Sequence, residues 1–466
     1  MANPSSSSIE IKEASLYSVK GDKYNVVKAI AGFNYYEDIM MPFIVAELVM
    51  IDSGQNLIGN LPIQGGEKVV MRVYDAKKKE EFKYELYVRS VFNRNFTKSI
   101  QTYTLGLVSK EGLYNEGVRI NEILSGSADQ IIKKIVNYYL DSDKKVLSEP
   151  CKFKINLFPG GRKAQAIIAS IQPKSVPQSS STIVPVAEKE KSSVKTSLSS
   201  KTQKAAGSAG YLFFENSRGF NFKPIDFYYS DGSDSFKGDP PVATYSYKPI
   251  QREAQDGNQY VIEDYRFIGE IDLIEQLRMG IYSTHMVFYN FSTGAYEEYT
   301  YKLEENFNAM AHLGSQKKLG TIQSRLSERP CRIISSIIDH ETWFNSSETA
   351  SPEKKDGGTG KAPFPDQQKY YLAQSIGRRY FMDTQKMEIK IPGNYRLNAG
   401  DKIKVLLPNM VEQTQRNKVR YDEENSGLYL ISKLAHKTYI NSECITVLEL
   451  IRDTSGMKEY SSKVKS

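Results

Sequence analysis

Lys68-Val69-Val70-Met71-Arg72-Val73-Tyr74 and Phe82-Lys83-Tyr84-Glu85-Leu86-Tyr87-Val88-Arg89-Ser90-Val91 stand on either side of a charged run, Asp75 to Glu81. In both, aliphatic and aromatic residues alternate with polar ones, the period of a strand with one buried face. Two such runs across a short polar tip predict a β-hairpin, and the charge of the tip is that of a solvated loop.

Working outward, Asn25 to Tyr35, Pro42 to Asp52 and Thr102 to Val108 carry the same strand pattern. Lys20-Gly21-Asp22 and Asp52-Ser53-Gly54 supply turn residues that tolerate positive φ. The region from Ile9 to Val108 therefore reads as a compact β-barrel. Beyond it, Ser127 followed by Gln130 is a capping-box pair ahead of Ile131, Ile132, Ile135, Val136 and Tyr139, which share one helical face. Lys152 to Leu157 reads as a strand, broken at Phe158-Pro159-Gly160-Gly161, with Ala164 to Ile171 expected as its hairpin partner.

From Pro173 to Gly210 the composition turns to Ser, Lys, Thr, Ala and Pro, which offers little apolar burial against the entropy of ordering. Tyr211 to Phe222 then reads as two aromatic strands about a Ser217-Arg218-Gly219 turn. Phe267, Ile268, Ile271, Ile274 and Leu277 predict a helix within Asp264 to Met279, capped by Gly280. Ser283 to Phe291 and Ala295 to Leu303, about Ser292-Thr293-Gly294, are expected to open a second barrel. A polar insertion, Asn345 to Gln367, precedes a helix over Gln368 to Asp383. Strands follow at Lys386 to Ile391, Lys402 to Leu407, Leu428 to His436 and Ile445 to Arg452.

The 466 residues exceed what one core usually supports, and 40% hydrophobic with 25% charged residues is ordinary globular usage. No stretch reaches the roughly 20 apolar residues of a membrane-spanning helix. Met1 to Ser8 lacks the basic stretch and apolar core of a secretory signal, which predicts synthesis in the cytoplasm. Cys151, Cys331 and Cys444 are too far apart for a thiolate metal cluster and are expected to be buried thiols. The sequons at Asn95, Asn290 and Asn345 are short patterns that arise by chance. A net charge of +7, spread along the chain, is not the basic face of a nucleic-acid binder. The 31 Tyr and 20 Phe against one Trp suit half-buried sheet surfaces, and secondarily protein interfaces.

Motifs for chemistry fail one by one. His340-Glu341-Thr342 begins like a zinc-protease helix, but Phe344 stands where the second His is needed. His285, His312, His340 and His436 are scattered. Gly357-Gly358-Thr359-Gly360-Lys361 is similar to a phosphate-binding loop, yet Lys355 replaces its leading Gly and Ala362 its Ser or Thr. A Gly-x-Ser-x-Gly elbow is missing. Lys77 to Lys79 and Arg378-Arg379 read as solvated basic faces. The expectation is a non-enzymatic protein with no cofactor and no metal.

Three ordered segments carry a family resemblance. Phe33 to Ile39, Pro42 to Gly54 and Leu61-Pro62-Ile63-Gln64-Gly65-Gly66-Glu67-Lys68-Val69 resemble the first tube-type barrel of baseplate hub proteins of contractile-tailed bacteriophages. Phe213 to Phe222 is similar to that family's central aromatic segment. Leu397-Asn398-Ala399-Gly400-Asp401 through Pro408, then Ser426 to Ile431 and Leu448 to Asp453, resemble its C-terminal barrel. The positions that carry the match are Glu37, Pro42, Asp52, Gly54, Pro62, Gly66, Glu67, Gly219, Pro392, Gly393, Gly400, Asp401, Pro408, Gly427, Arg452 and Asp453, all structural and none catalytic.

What the resemblance implies is a mainly β chain with α+β insertions: two tube-type antiparallel β-barrels plus smaller α+β domains. The domains would be 1–110, first barrel; 111–172, an α+β domain; 173–210, a flexible Ser/Lys-rich linker; 211–280, aromatic strands and helix completing the α+β region; 281–344, first part of the second barrel; 345–367, a flexible insertion; 368–453, helix and remainder of the second barrel; and 454–466, a tail. It further implies a homotrimer forming a pseudo-sixfold ring in the virion tail baseplate. That ring would join the tail tube or its initiator to the central spike, with tape-measure and wedge proteins as further neighbours and no membrane anchor. The alternatives are the hub or needle-base component of a contractile secretion or injection system, and, as an enzyme, a cell-wall hydrolase.

Overall fold

The structure is a computed structural model that describes residues 9–18, 20–53, 58, 63–76, 78–97, 100–178, 209–232, 236–247, 261–269, 272–290, 294–316, 318–338, 343–345, 365–409, 421–439 and 444–458. Most of the expected 173–210 linker and 345–367 insertion, and His340 with the 357–361 loop, lie outside these residues. The chain is mainly β, with antiparallel sheets and shorter helical parts, as the strand patterning predicts.

Seven strands make the first lobe: β1 (Ile9–Tyr17), β2 (Lys23–Asn25), β3 (Ile30–Asp38), β4 (Val45–Ser53), β5 (Lys68–Asp75), β6 (Glu80–Thr97) and β7 (Ile100–Val108). Their order is β2-β1-β5-β6-β7-β4-β3. β5 and β6 are the hairpin read at the outset, with Asp75 opposite Glu80. Val69, Met71 and Val73 of β5, Leu48 of β4 and Leu105 and Leu107 of β7 point inward and are fully buried. Each such side chain stabilises the lobe by roughly 1.5–3 kcal/mol. A slip of one residue would turn the set outward, so the alternation also fixes register.

The middle of the chain builds two small sheets around a second apolar core. β8 (Leu124–Ser127) and β10 (Phe153–Leu157) pair with each other, and β9 (Val146–Ser148) runs parallel to β12 (Gly219–Pro224), the hairpin partner of β11 (Tyr211–Asn216). The Ala128–Lys134 helix starts as the capping pair requires, Gln130 Oε1 accepting from the Ser127 N–H at 3.2 Å. Ala164–Ile171 is a helix and not the strand partner of β10. Its buried Ala164, Ile167, Ile168 and Ile171 fall at helical spacing, and that period outweighs the hairpin signal of Gly160-Gly161.

Next come β13 (Ala243–Tyr247), β14 (Val261–Ile262) and β15 (Asp264–Gly269). The helix expected over 264–279 is confined to Leu273–Arg278, ending at Gly280, whose φ is +75°. Tyr265 and Phe267, two residues apart, pack on the main core, so period two prevails in β15. β16 (Ser283–Asn290) and β17 (Ala295–Lys302) form the expected hairpin, but they do not open a second barrel. With the parallel strand β18 (Arg332–Ile338) they make a separate three-stranded sheet, β17-β16-β18. Met286, Phe288 and Tyr301 pack there on Ala373 and Phe381 of the Pro365–Phe381 helix, and the later strands pair elsewhere. β19 (Trp343–Asn345) joins β10.

The second lobe takes its strands from two places. β20 (Gln385–Pro392), β21 (Lys402–Leu406), β22 (Gly427–Tyr439) and β23 (Ile445–Arg452) are joined by β13 to β15. Pairing runs β13-β21-β22-β23-β20-β15, and β14, which continues into β15, returns to β13. The ladder of the second lobe thus closes on itself.

β22 also pairs with β3, Lys433 opposite Asp38 through Tyr439 opposite Gly32, so both lobes belong to one 14-stranded sheet. A single buried apolar cluster runs through both. An aromatic column crosses it: Tyr84 lies 4.5 Å from Tyr35 and 6.2 Å from Tyr395, whose ring stacks on His436 at 4.2 Å. Among the described residues no helix is long and apolar enough to cross a membrane. Cys151 and Cys444 are buried as expected, but Cys331, at the solvated start of β18, is exposed.

Leu48→Ala should cost about 2–5 kcal/mol through the transfer and cavity terms, whereas Ile51→Ala, on the exposed side of the same strand, should stay within about 0.5 kcal/mol. Denaturant midpoints of the two variants measure this; equal losses would contradict the inward assignment.

Candidate functional site

Glu37, near the end of β3, is buried and binds three segments at once. Its Oε1 accepts from Tyr35 Oη and from the Ser217 N–H, each at 2.7 Å, and its Oε2 accepts from the Ala399 N–H at 2.7 Å. Ser217 belongs to the turn between β11 and β12, and Ala399 to the loop before β21. One carboxylate therefore ties the first lobe, the central unit and the second lobe together. Burial pushes its pKa up to about 7, against the hydrogen bonds from Tyr35, Ala399 and Ser217.

The same turn and loop are locked a second time. Arg218 donates to both oxygens of Asp401, at 2.7 and 2.8 Å, a bidentate pair of the kind that fixes geometry as well as energy. Asp401 also accepts from the Asn398 N–H at 3.0 Å, and Asn216 donates to the Ala399 carbonyl at 3.1 Å. Burial raises the Asp401 pKa, with Arg218 working against it. Gly219 has φ +123°, and a Cβ there would lie 2.3 Å from the Lys145 carbonyl, so the turn admits no side chain. Glu37, Gly219, Gly400 and Asp401 are thus brought into one knot.

Two further knots hold the C-terminal motif. Asp453 accepts from Arg378 Nη1 at 2.9 Å and from the Leu313 N–H at 3.2 Å, and its Oδ2 lies 2.8 Å from His312 Nδ1. Nε2 of His312 lies 2.7 Å from the Phe307 carbonyl, so both ring nitrogens face oxygen atoms. Burial would raise the Asp453 carboxyl, but the His312 and Arg378 charges outweigh it and hold its pKa at about 2. Arg378 is fully buried, 3.2 Å from Asp226 and 4.5 Å from the Tyr229 ring. Arg452 bonds Gln385 Oε1 and the carbonyls of Ser426 and Glu424, and covers the Tyr429 ring at 4.6 Å. Gly427 stands beside it.

The remaining motif positions are dispersed. Glu67 is buried and caps the Gly65-Gly66 turn, accepting from the Gln64 N–H at 2.6 Å and the Gly65 N–H at 3.0 Å. Asp52 is buried opposite Gln101, and Pro42 is half-buried between β3 and β4. Pro392 ends β20, and the Gly393 N–H donates to the Cys444 carbonyl at 2.8 Å. Pro408 bridges to Tyr421. Gly54 and Pro62 lie outside the described residues.

Sequence reasoning missed Arg378, read as solvated, and the partner roles of Arg218 and His312. A signal for the first existed: Tyr371, Ser375 and Arg378 recur at helical spacing, which puts Arg378 on the buried stripe.

One polar surface stands apart from these knots. β5 pairs with β6 only as far as Tyr87, while β7 pairs with it to Thr97. Residues 89–97 of β6 therefore project as a ribbon with one edge unpaired among the described residues, and Val91 and Phe96 on it are exposed.

No family model matches the chain, and no curated protein matches its sequence. Solved structures do. The tail protein from Neisseria meningitidis MC58 aligns with a TM-score of 0.50 at 11% identity, covering 95% of this chain and 96% of that one. The 43 kDa tail protein of prophage MuSo2 from Shewanella oneidensis aligns at 0.46 and 10% identity, covering 95% and 98%. The E. coli c3393 protein, a component of the type VI secretion system, aligns at 0.38 and 8%, covering 97% of this chain and 79% of that one. The chain shares the fold of the Neisseria tail protein over nearly the whole of both.

Glu37 and His436 make opposite contributions to pH dependence. A pKa raised to about 7 means the folded state holds the Glu37 proton more tightly, so this group adds stability as pH falls from 7 towards 4.5. Burial lowers His436 to about 3, so the unfolded chain takes up that proton first and stability falls as pH drops from 6.5 towards 3. Glu37→Gln should remove about 2 kcal/mol of the gain between pH 7 and pH 5 and expose the His436 loss. Urea unfolding of parent and variant at both pH values measures this, and parallel pH profiles would refute it.

Proposed function

We propose that the chain is a structural, non-catalytic hub subunit of a contractile phage tail baseplate. Three copies close a ring in which two β lobes per chain give pseudo-sixfold symmetry, with the tail tube or its initiator on one side and the central spike on the other. Tape-measure and wedge proteins are the further neighbours.

The observation that carries this reading is the pairing of β3 with β22, which fuses two β lobes side by side in one rigid sheet. A chain built this way supplies two neighbouring positions of a ring, and three chains supply six. The fold shared with a tail protein along the full chain supports it. The open β6 edge fits the same role, since an unpaired strand edge is an aggregation hazard in a monomer and an assembly contact in a closed ring. The buried ion pairs of the site suit a rigid adaptor, since they hold segments far apart in sequence in place.

Mass photometry of the purified chain, alone and with tube and spike proteins, should show a species of three times the single-chain mass. Negative-stain images should show an open central channel. Val91→Asp with Phe96→Asp should leave the monomer folded, since both residues are exposed, and reduce the trimer at least about tenfold. Monomer alone under every condition would overturn the reading.

A further inference from the structure

Apart from the ribbon and the buried knots, the β17-β16-β18 sheet carries an unclaimed surface. β18 pairs only with β16, so its other edge is unpaired among the described residues. Its outward residues Ile333 and Ile337 are 73% and 54% exposed, unusual for β-branched aliphatics on a strand. Its inward residues Arg332 and Ile334 line a cavity of about 490 Å³ together with Ser375, Ile376, Arg379 and Tyr380 of the Pro365–Phe381 helix. That volume is in the range of ligand-sized clefts.

The charges in the cavity have one sign. Arg332 donates to the Met279 carbonyl at 3.0 Å and lies 5.2 Å from the Tyr380 ring, and Arg379 lies 3.7 Å from the Met40 sulfur. Among the described residues neither guanidinium meets a carboxylate and no Asp or Glu lines the cavity. Ser375, 2% exposed, adds a hydroxyl to the lining.

We propose that the free edge of β18 and the adjoining cavity bind an extended peptide segment of another protein, one that presents a carboxylate on one face and aliphatic side chains on the other. The backbone of the segment adds to β18 as a further strand. Its alternate side chains then fall on opposite faces: aliphatic ones cover Ile333 and Ile337, and the carboxylate enters the cavity between Arg332 and Arg379. The unpaired edge selects an extended peptide over a free amphipathic acid, because only a backbone satisfies a row of strand N–H and C=O groups. This site is independent of the hub reading.

The probe is a fluorescein-labelled nonapeptide, Thr-Val-Thr-Val-Glu-Val-Thr-Val-Thr, titrated with the full chain and followed by anisotropy. It should bind about tenfold more tightly than the same peptide with Lys or Gln at the centre, the effect of one charge-assisted contact. Arg332→Ala with Arg379→Ala should erase that preference. Arg379→Ala alone, at an exposed position, should reduce it and serves if the double variant is unstable. N-methylation of alternate peptide nitrogens should abolish binding. Equal binding of the Glu and Lys peptides, undiminished binding of the N-methylated one, or no binding at millimolar peptide would each overturn the proposal. So would self-association of the chain that disappears in the double variant, which would assign the edge to a second copy.

Discussion

Gly427–Tyr439 has to satisfy three neighbours, and the rest of the architecture follows from how it does so. Its first residues pair with β21, its length with β23, and from Lys433 onward its other edge with β3. A register shift between Ile431 and Lys433 makes this possible: the strand bends there, the Ser432 hydroxyl turns to the Glu449 carbonyl at 3.0 Å, and the Ser432 carbonyl accepts from the Ile39 N–H at 3.0 Å. The β21 ladder ends at Leu430 and the β3 ladder begins at Lys433, so β22 passes from one neighbour to the other at the bulge. There two lobes become one sheet. Glu37, opposite Leu434 within the shared ladder, then fastens the central unit to the same corner through its carboxylate.

Much of this was legible where local period and local partner coincide. The 80–91 and 445–452 strands alternate over most of their length because one face of each is buried and the other is more exposed. The misreadings have a common cause, which is that a partner decides the outcome and the partner is far away in sequence. Ala164–Ile171 follows a Gly-Gly turn that would suit a hairpin, yet a helical stripe wins because the core beside it receives four apolar residues on one face. The 283–302 hairpin was readable as a hairpin, but its sheet was not: the third strand is parallel, and a parallel strand arrives by a crossover that local signals do not announce.

The candidate site divides in the same way. Glu37, Gly400 and Asp401 could be picked out as motif positions, but that they meet Ser217 and Arg218 is a property of the fold, since those residues are about 180 positions apart. Arg378 shows the opposite case. Its neighbour Arg379 is exposed, and a pair of adjacent arginines reads as a solvated face unless the helical stripe is weighed against the charge. Buried arginines of this kind are costly to desolvate and are retained here with Asp226 and Asp453 on either side.

The aromatic column through the shared core has a spectroscopic consequence. Burial, reinforced by neighbouring carboxyl, phenol or thiol groups, pushes the phenols of Tyr35, Tyr84 and Tyr395 well above their ordinary range. In strong alkali the unfolded chain gives up these protons while the folded one keeps them, so the fold loses stability as pH rises past the ordinary phenol range. Their ionisation is then tied to the opening of the core, and a stepwise rise in phenolate absorbance becomes an intrinsic, label-free clock for the separation of the lobes.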